Sequence, residues 1–308
     1  MKVLITGGSG LVGSSFEGID TDNQLILVGS SDADLKSRKE TEALIAKTQP
    51  DAIIHLAAKV GGVKGNSDFV ADFFHENTLI NTNVLNSARQ FRVPKVVSLL
   101  STCIYPDNPV YPLTEEQIHN GEPHPSNFGY AYAKRMLEVH SRAIRIQYGL
   151  NYITAVPNNI YGMRDNFDLE NGHVIPSLIR KFHEAKLKRT DVTLWGSGAP
   201  LREFTYSKDI AKALIFLLEN YEGDVPINIG STKETSIKDV SKIISKELKY
   251  TGRIIWDTDK PEGQFKKPSS NKKFLNMCPD FVYTELEAGL KETISWFTDN
   301  YPNIRGLQ

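Results

Sequence analysis

The segment Gly7-Gly8-Ser9-Gly10-Leu11-Val12-Gly13 follows directly on the apolar run Val3-Leu4-Ile5, and that juxtaposition restricts the fold more than any other feature of the chain. Glycines at this spacing after a first strand let the backbone turn sharply, let its amides approach a pyrophosphate, and let the following helix pack closely on the strand. Elsewhere the same residues would be a plain turn; opening a β-α-β unit, they select dinucleotide binding. The alternation continues downstream. Short, nearly continuous apolar runs at 2–6, 24–29, 52–57, 95–100 and 152–156 read as strands covered on both faces. Helical patterns lie between them at 35–47 and 72–91, the second with Phe73, Leu79, Ile80, Val84, Leu85 and Ala88 on one face before Val93-Pro94 stops it. The order predicts an α/β fold, a Rossmann-type doubly wound parallel sheet with right-handed crossovers.

Beyond Tyr161 the rhythm changes. Strand-like pieces at 192–195, 226–229 and 253–256 alternate with helical stretches at 173–185, 208–219, 237–248 and 285–298, with Gly/Pro-rich loops at 196–200 and 260–268. This predicts a dinucleotide-binding domain over 1–165, with a return segment near 203–232, and a smaller C-terminal α/β cap that is mainly 166–308. A substrate cleft is expected between them. Thirty-six Lys plus Arg against 37 Asp plus Glu leave a formal charge of −1, so nucleic acid and anionic membrane are not expected partners. No apolar run reaches the roughly 18–20 residues that cross a bilayer. The two cysteines, Cys103 and Cys278, belong to no Cys-x-x-Cys or Cys/His cluster. A reducing, cytoplasmic location without a structural metal is therefore expected.

The end of the second strand distinguishes NAD from NADP, because a carboxylate there bonds the ribose 2′-hydroxyl and repels a 2′-phosphate. Here it reads Gly29-Ser30-Ser31, with no carboxylate before Asp32 and with Lys36, Arg38 and Lys39 nearby. This favours NADP, used as NADPH. Ser30 would face the phosphate, and Asp34-Leu35 would lie near the adenine, unless Asp34 simply caps the helix beginning at Leu35.

Tyr130 is followed four residues later by Lys134. On a helix the pair shares a face, so an ammonium beside the phenol would lower a pKa normally about 10 and make Tyr130 a usable acid or base. Ser101, at the C-terminal end of the fourth strand, lies on the edge where open α/β sheets bind ligands. Ser101, Tyr130 and Lys134 can converge there.

These residues carry a resemblance. The glycine loop, His55-Leu56-Ala57-Ala58, Ser101 and Tyr130-x-x-x-Lys134 are similar to the extended short-chain dehydrogenase/reductase family of nucleotide-sugar enzymes. Ala57-Ala58-Lys59-Val60-Gly61-Gly62, Ser101-Thr102-Cys103-Ile104-Tyr105-Pro106, Asp165-Asn166-Phe167, Gly172-His173-Val174-Ile175-Pro176 and Trp195-Gly196-Ser197-Gly198 resemble its GDP-L-fucose synthase subfamily. The resemblance runs over nearly the whole chain. It implies a bifunctional enzyme that converts GDP-4-keto-6-deoxy-D-mannose to GDP-L-fucose with NADPH, epimerising C3 and C5 and then reducing C4.

Epimerisation beside a ketone needs a base and an opposing acid beyond the reductase tyrosine, and the subfamily motif marks Cys103 and His173. Cys103, two residues after Ser101, would point to the same face if the strand extends that far; otherwise it is a small buried hydrophobe. His173 could equally cap the following helix. The resemblance also places Ala57, Ala58, Pro157, Asn158, Asn159, Ile160, Lys134 and His173 at the cofactor. It points to Lys181, Trp195 and Arg202 as nucleotide contacts, with Glu262 toward the guanosine ribose; alternatively Trp195 is core and Lys181 a solvated helix residue. Two departures stand out: Asn158 where the subfamily usually has threonine, and Met163-Arg164 where it has Pro-His. The family usually dimerises by packing helices into a bundle, so 72–91 and 130–147 are the expected homodimer helices. A UDP-sugar 4-epimerase, a 4,6-dehydratase or a non-catalytic dinucleotide-sensing module are the competing readings, but none explains both the triad and Cys103.

Overall fold

The computed structural model describes residues 1–260 and 264–307. Its strands are β1 (Lys2–Thr6), β2 (Gln24–Val28), β3 (Ala52–His55), β4 (Lys95–Leu99), β5 (Asn151–Val156), β6 (Asn159–Tyr161), β7 (Val192–Trp195), β8 (Leu201–Tyr206), β9 (Ile227–Asn228), β10 (Glu234–Ser236) and β11 (Ile254–Asp257). Its α-helices are α1 (Arg38–Thr48), α2 (Val63–Asp68), α3 (Val70–Gln90), α4 (Phe128–Tyr148), α5 (Val174–Lys188), α6 (Ser207–Asn220), α7 (Ile237–Glu247), α8 (Lys272–Met277) and α9 (Leu286–Asn300). Among the described residues the largest sheet has six parallel strands in the order β2-β1-β3-β4-β5-β9. The order reverses at β1, so a crevice opens where the C-terminal ends of β1 and β3 part.

Period-two alternation explains why helices cover both faces of this sheet. Val3 and Ile5 of β1 join Ile54, Val97 and Ile153 against Ala211 and Leu214 of α6. Leu4, between them in sequence, joins Ile53 and Val96 on the opposite face, against Ile45 of α1, Val84 and Leu85 of α3, and Leu137 of α4. Truncating such a side chain to alanine typically costs about 2–5 kcal/mol. A separate core gathers Phe167, Ile179 and Phe182 with Val240 and Ile244 of α7 and Leu290 and Phe297 of α9. Around it lie the sheets β10-β8-β6 and β11-β7.

Three details depart from the sequence reading. The glycine array opens into a single 3₁₀ turn, Gly13–Phe16, and not into an α-helix. Helix α1 starts at Arg38, because the Ser37 hydroxyl accepts from the Glu40 amide; Asp34 does not cap it. The segment around α8, expected within the cap, packs on the large sheet through Phe274, Leu275, Phe281 and Tyr283. Among the described residues no helix is long and apolar enough to cross a membrane.

Candidate active site

The β1 end forms a cradle that only glycine fits. Gly7 takes a φ of +74°, and a Cβ there would sit 2.8 Å from the Ala57 amide nitrogen after β3. A Cβ on Gly8 would lie 2.8 Å from the Leu27 side chain, and one on Gly13 would strike the backbone of Gly7 and Gly8. Gly10 closes the turn by donating to the Gly7 carbonyl at 3.0 Å. The amides of Leu11 and Val12 donate to no group among the described residues. Bare backbone and unspent amides at the sheet's crevice fit a dinucleotide pyrophosphate, although the helix expected to add its dipole is reduced to one turn.

The loop after β3 is held from beneath. Asn77 of α3 accepts from the Lys59 amide at 2.9 Å and donates to the Lys59 carbonyl at 3.0 Å, so one side chain fixes the backbone of Lys59, just after Ala57-Ala58. Buried His55 lies 2.8 Å from the Thr6 hydroxyl and 3.1 Å from Asn81 Oδ1. Asn81 Nδ2 donates to the Ala133 carbonyl, so Oδ1 is the oxygen and His55 carries its proton on Nε2. Burial, then the Lys134 charge, lower the His55 pKa to about 3; it is a neutral strut, not an acid.

Strand β4 delivers the reacting groups. Ser101 is extended (φ −161°, ψ 152°), and its hydroxyl accepts from the Cys103 amide at 3.4 Å. The chain then coils into the 3₁₀ turn Thr102–Ile104. The strand does not reach Cys103, so alternation is not what brings it to the site; the turn does. Helix α4 crosses behind, and Lys134 Nζ donates to the Leu99 carbonyl at 2.7 Å while lying 5.9 Å from the centre of the Tyr130 ring. The expected lowering of the Tyr130 pKa does not occur. Burial, then the neighbouring Cys103, push the phenol up, whereas burial pulls Lys134 down to about 8. Desolvation outweighs an ammonium that is spent on a carbonyl. Burial likewise pushes the Cys103 thiol up, opposed by the Ser101 hydroxyl and then by Lys267 and Lys134.

On the cap side, His173 stands at the start of α5 but makes no side-chain capping bond. The preceding loop is anchored to the chain following β3, since the Gly62 amide donates to the Asn171 carbonyl at 2.8 Å. Desolvation and then Arg305 lower the His173 pKa, favouring a neutral ring. Trp195 is 64% exposed, which rules out the core alternative. Lys181 and Lys260 Nζ each lie 5.9 Å from its ring centre. Arg202 donates to the Leu201 carbonyl at 2.7 Å and is partly desolvated near Tyr111. Glu262 lies outside the described residues.

At the β2 end, Ser30 is exposed, but the carboxylate is nearer than the sequence suggests. Asp32 folds back so that Oδ2 accepts from the Gly29 amide at 2.8 Å, beside the strand tip. Asp34 Oδ1 accepts from the Lys36 amide at 3.0 Å, and the Leu35 side chain, expected beside the adenine, is buried in the core under α1 and α3. In the loop after β5, Pro157 is buried and Ile160 packs on the large core. The Asn158 side chain is committed: Oδ1 accepts from the Thr205 hydroxyl at 2.6 Å, and Nδ2 donates to Ser231 O at 2.6 Å and Glu203 Oε2 at 3.1 Å. Asn159 donates to the Glu203 carbonyl at 2.8 Å.

Comparison with known proteins fits this geometry. Residues 3–230 match the NAD dependent epimerase/dehydratase family. GDP-L-fucose synthase of Dictyostelium discoideum is 46% identical over 310 residues, covering 98% of this chain and 97% of that protein. The chain belongs to the GDP-L-fucose synthase family. A probable GDP-L-fucose synthase of Drosophila melanogaster is 43% identical, covering 99% of each chain. The crystal structure of a GDP-L-fucose synthetase from Naegleria fowleri bound to NADP is 40% identical, with a TM-score of 0.94, covering 98% of this chain and 94% of that one.

Among GDP-L-fucose synthase family features, the two departures of this chain take on definite roles. Asn158 ties β5 to β8 in place of the usual threonine. Arg164, at a φ of +58°, forms a two-point ion pair with Glu17 at 2.8 and 3.0 Å, joining the loop after β6 to the turn that follows the glycine cradle. Sequence reasoning missed Lys267, Lys260, Arg305 and Asn77 at this site. All are ordinary polar residues in loops or on a helix, and nothing in their local pattern separates them from solvated side chains.

Proposed function

We propose that this protein converts GDP-4-keto-6-deoxy-D-mannose to GDP-L-fucose with NADPH, by epimerisation at C3 and C5 followed by reduction at C4. The observation that carries the reading is the meeting of Ser101, Cys103, Tyr130 and Lys134 at the end of β4, beside the glycine cradle; family membership agrees with it. A triad alone suffices for simple 4-epimerisation, whereas a thiol two residues from the serine adds a second acid/base.

NADPH would be held by the loop from Gly7 to Gly13, by Ser30, Ala57 and Ala58, and by the 157–160 backbone with Lys134 and His173. When bound it supplies the hydride for C4. Ser101 and Tyr130 hydrogen-bond the C4 oxygen, so charge developing there during enolisation is stabilised. Cys103, as thiolate, removes the C3 proton and, after releasing it to solvent, the C5 proton; His173, neutral at rest, passes a solvent-derived proton to the opposite ring face each time. Tyr130 finally protonates the C4 oxygen; because burial holds its pKa high, it stays protonated until that oxygen needs it. Trp195 offers an exposed face for the guanine, with Lys181 and Arg202 toward the diphosphate and Glu262 toward the ribose.

In this reading 1–165 with the return near 203–232 is the cofactor domain and 166–308 mainly the substrate cap. A cytoplasmic homodimer completes it: Phe74 on α3 and Met136, Val139 and Ile146 on α4 leave apolar side chains exposed along paired helices. Sedimentation velocity tests the dimer. Oxidation of NADPH that depends on GDP-4-keto-6-deoxy-D-mannose, with NMR identification of the product sugar, tests the activity; a product other than GDP-L-fucose refutes it.

A further inference from the structure

One stretch of chain, 265–270, is fastened to β8 and to the loop at Leu113. The Phe265 carbonyl accepts from the Leu201 amide of β8 at 2.8 Å. The Ser269 amide and hydroxyl both donate to the buried Glu203 carboxylate, at 2.9 and 2.6 Å. Beyond β8, the Leu113 amide donates to the Pro268 carbonyl and the Ser270 amide to the Leu113 carbonyl, each at 2.9 Å. Between these fastenings stands Lys267, whose Nζ donates to the Thr102 carbonyl at 2.9 Å. Thr102 immediately precedes Cys103, so a half-buried ammonium is pinned onto the turn that carries the thiol.

We infer that Lys267 is a positioning residue for the epimerisation half-reaction: bound to the Thr102-Cys103 turn by the 265–270 segment, its ammonium sustains the Cys103 thiolate. The inference rests on the assignment of Cys103 as the base. The other charged or titratable groups facing Cys103 come from α4. Lys134 is bonded to the Leu99 carbonyl, Tyr130 is a neutral phenol, and Arg135 donates to the Ile104 and Gly121 carbonyls, both at 2.7 Å. Burial lowers the Lys267 pKa; Cys103 and then Asp107 work to keep it charged, and Arg202 works against that. Lys134, bonded at the strand end, acts on the thiol in the same direction but less than Lys267, which is bonded to the turn itself; Arg135 holds the far side of that turn. A buried thiol favours its neutral form; the Ser101 hydroxyl and then the Lys267 ammonium, pinned to the adjoining carbonyl, oppose that and increase the share of thiolate. The proton lost on forming the thiolate passes to solvent; the proton later taken from C3 or C5 restores the thiol while the electron pair moves onto the C4 oxygen.

The test uses the full chain loaded with NADP, in a Cys278→Ser background so that Cys103 is the thiol read. Iodoacetamide alkylation is followed against pH for Lys267→Gln, Lys267→Met and Lys267→Arg. The neutral variants should move the alkylation midpoint upward by about one pH unit, a tenfold loss of thiolate near neutrality. Solvent deuterium incorporation at C3 and C5 should slow by about tenfold in kcat with KM little changed. Lys267→Arg should keep the original midpoint, because it keeps the charge and the donor. Two neutral side chains of different polarity guard against one failing to fold. An unchanged midpoint in the neutral variants, or a loss confined to KM, overturns the inference and makes Lys267 a substrate or scaffold residue. Loss of exchange in Cys103→Ser alongside that result would leave the parent assignment standing; normal exchange in Cys103→Ser would remove the parent assignment itself.

Discussion

Lys134 and Tyr130 lie one helical turn apart, yet the Lys134 ammonium is bonded to the Leu99 carbonyl at 2.7 Å and the phenol receives no lowering from it. The lysine thus locks α4 to the end of β4, and burial pulls its pKa to about 8. Below that pH it is charged; above it the charge is lost, and with it the ion–dipole bond to the strand. The kcat/KM for NADPH-dependent reduction should therefore fall on the alkaline side with a midpoint near 8, since this ratio reports groups of the free enzyme. In Lys134→Arg the guanidinium stays charged, so whatever activity remains should lose that limb. A limb unmoved by the arginine would trace it to another group.

Tyr130→Phe removes the proton donor and leaves the cradle untouched. Reduction should fall by about 10²–10⁴-fold, the usual contribution of a positioned acid, while NADPH binding measured by calorimetry changes little. Retained reduction would exclude Tyr130 as the donor.

How much was legible in advance depended on whether a signal was local. Parallel strands buried on both faces write their pattern in consecutive residues, so Val3, Leu4 and Ile5 already pointed to the two-faced core, and the glycine cradle followed from spacing. The proximity of Tyr130 to Lys134, and of both to the end of β4, was readable for the same reason. Lys267 was not: its value comes from a segment more than 150 residues beyond Thr102, fastened by Leu113 and Glu203. The direction of the Tyr130 shift was misjudged because i,i+4 spacing reports proximity but says nothing of desolvation or of a competing carbonyl. Asp32 was misplaced because its side chain doubles back to Gly29, which sequence distance along a strand cannot show.

Asp165 yields a stability prediction. It is 4% exposed; its Oδ1 accepts from the Asn166 amide at 2.7 Å, its Oδ2 is buried without a partner, and burial raises its pKa to about 7. Between the ordinary carboxylate value and 7 the folded chain holds a proton that the unfolded chain has released, so stability falls as pH rises through that interval and levels off above it. Asp165→Asn removes the ionisation. Relative to wild type it should gain about 1–3 kcal/mol between pH 4 and pH 8, read by urea unfolding at both pH values. A constant difference across that range would mean that Asp165 ionises normally.

Cys103→Ser separates the two chemistries assigned to one cleft. Hydride transfer to C4 depends on Ser101, Tyr130 and Lys134, whereas removal of the C3 and C5 protons depends on the sulfur. A serine hydroxyl fills nearly the same space but is far less acidic than a thiol, so it cannot supply the base. The Cys103 amide bond to the Ser101 hydroxyl and the Lys267 bond to the Thr102 carbonyl involve backbone atoms of the turn, and both survive the exchange. The variant should therefore keep its fold and its NADPH binding. Solvent deuterium incorporation at C3 and C5 should nearly stop, while slow reduction of the unepimerised ketone continues, giving a GDP-6-deoxyhexose other than fucose. His173→Gln should show a related but less complete loss, because it removes the opposing acid and leaves the thiolate able to exchange protons on its own face. Wild-type exchange at both carbons in Cys103→Ser would reduce Cys103 to a packing residue and move the search for the base to the cap side of the cleft, where His173 is the next group to test.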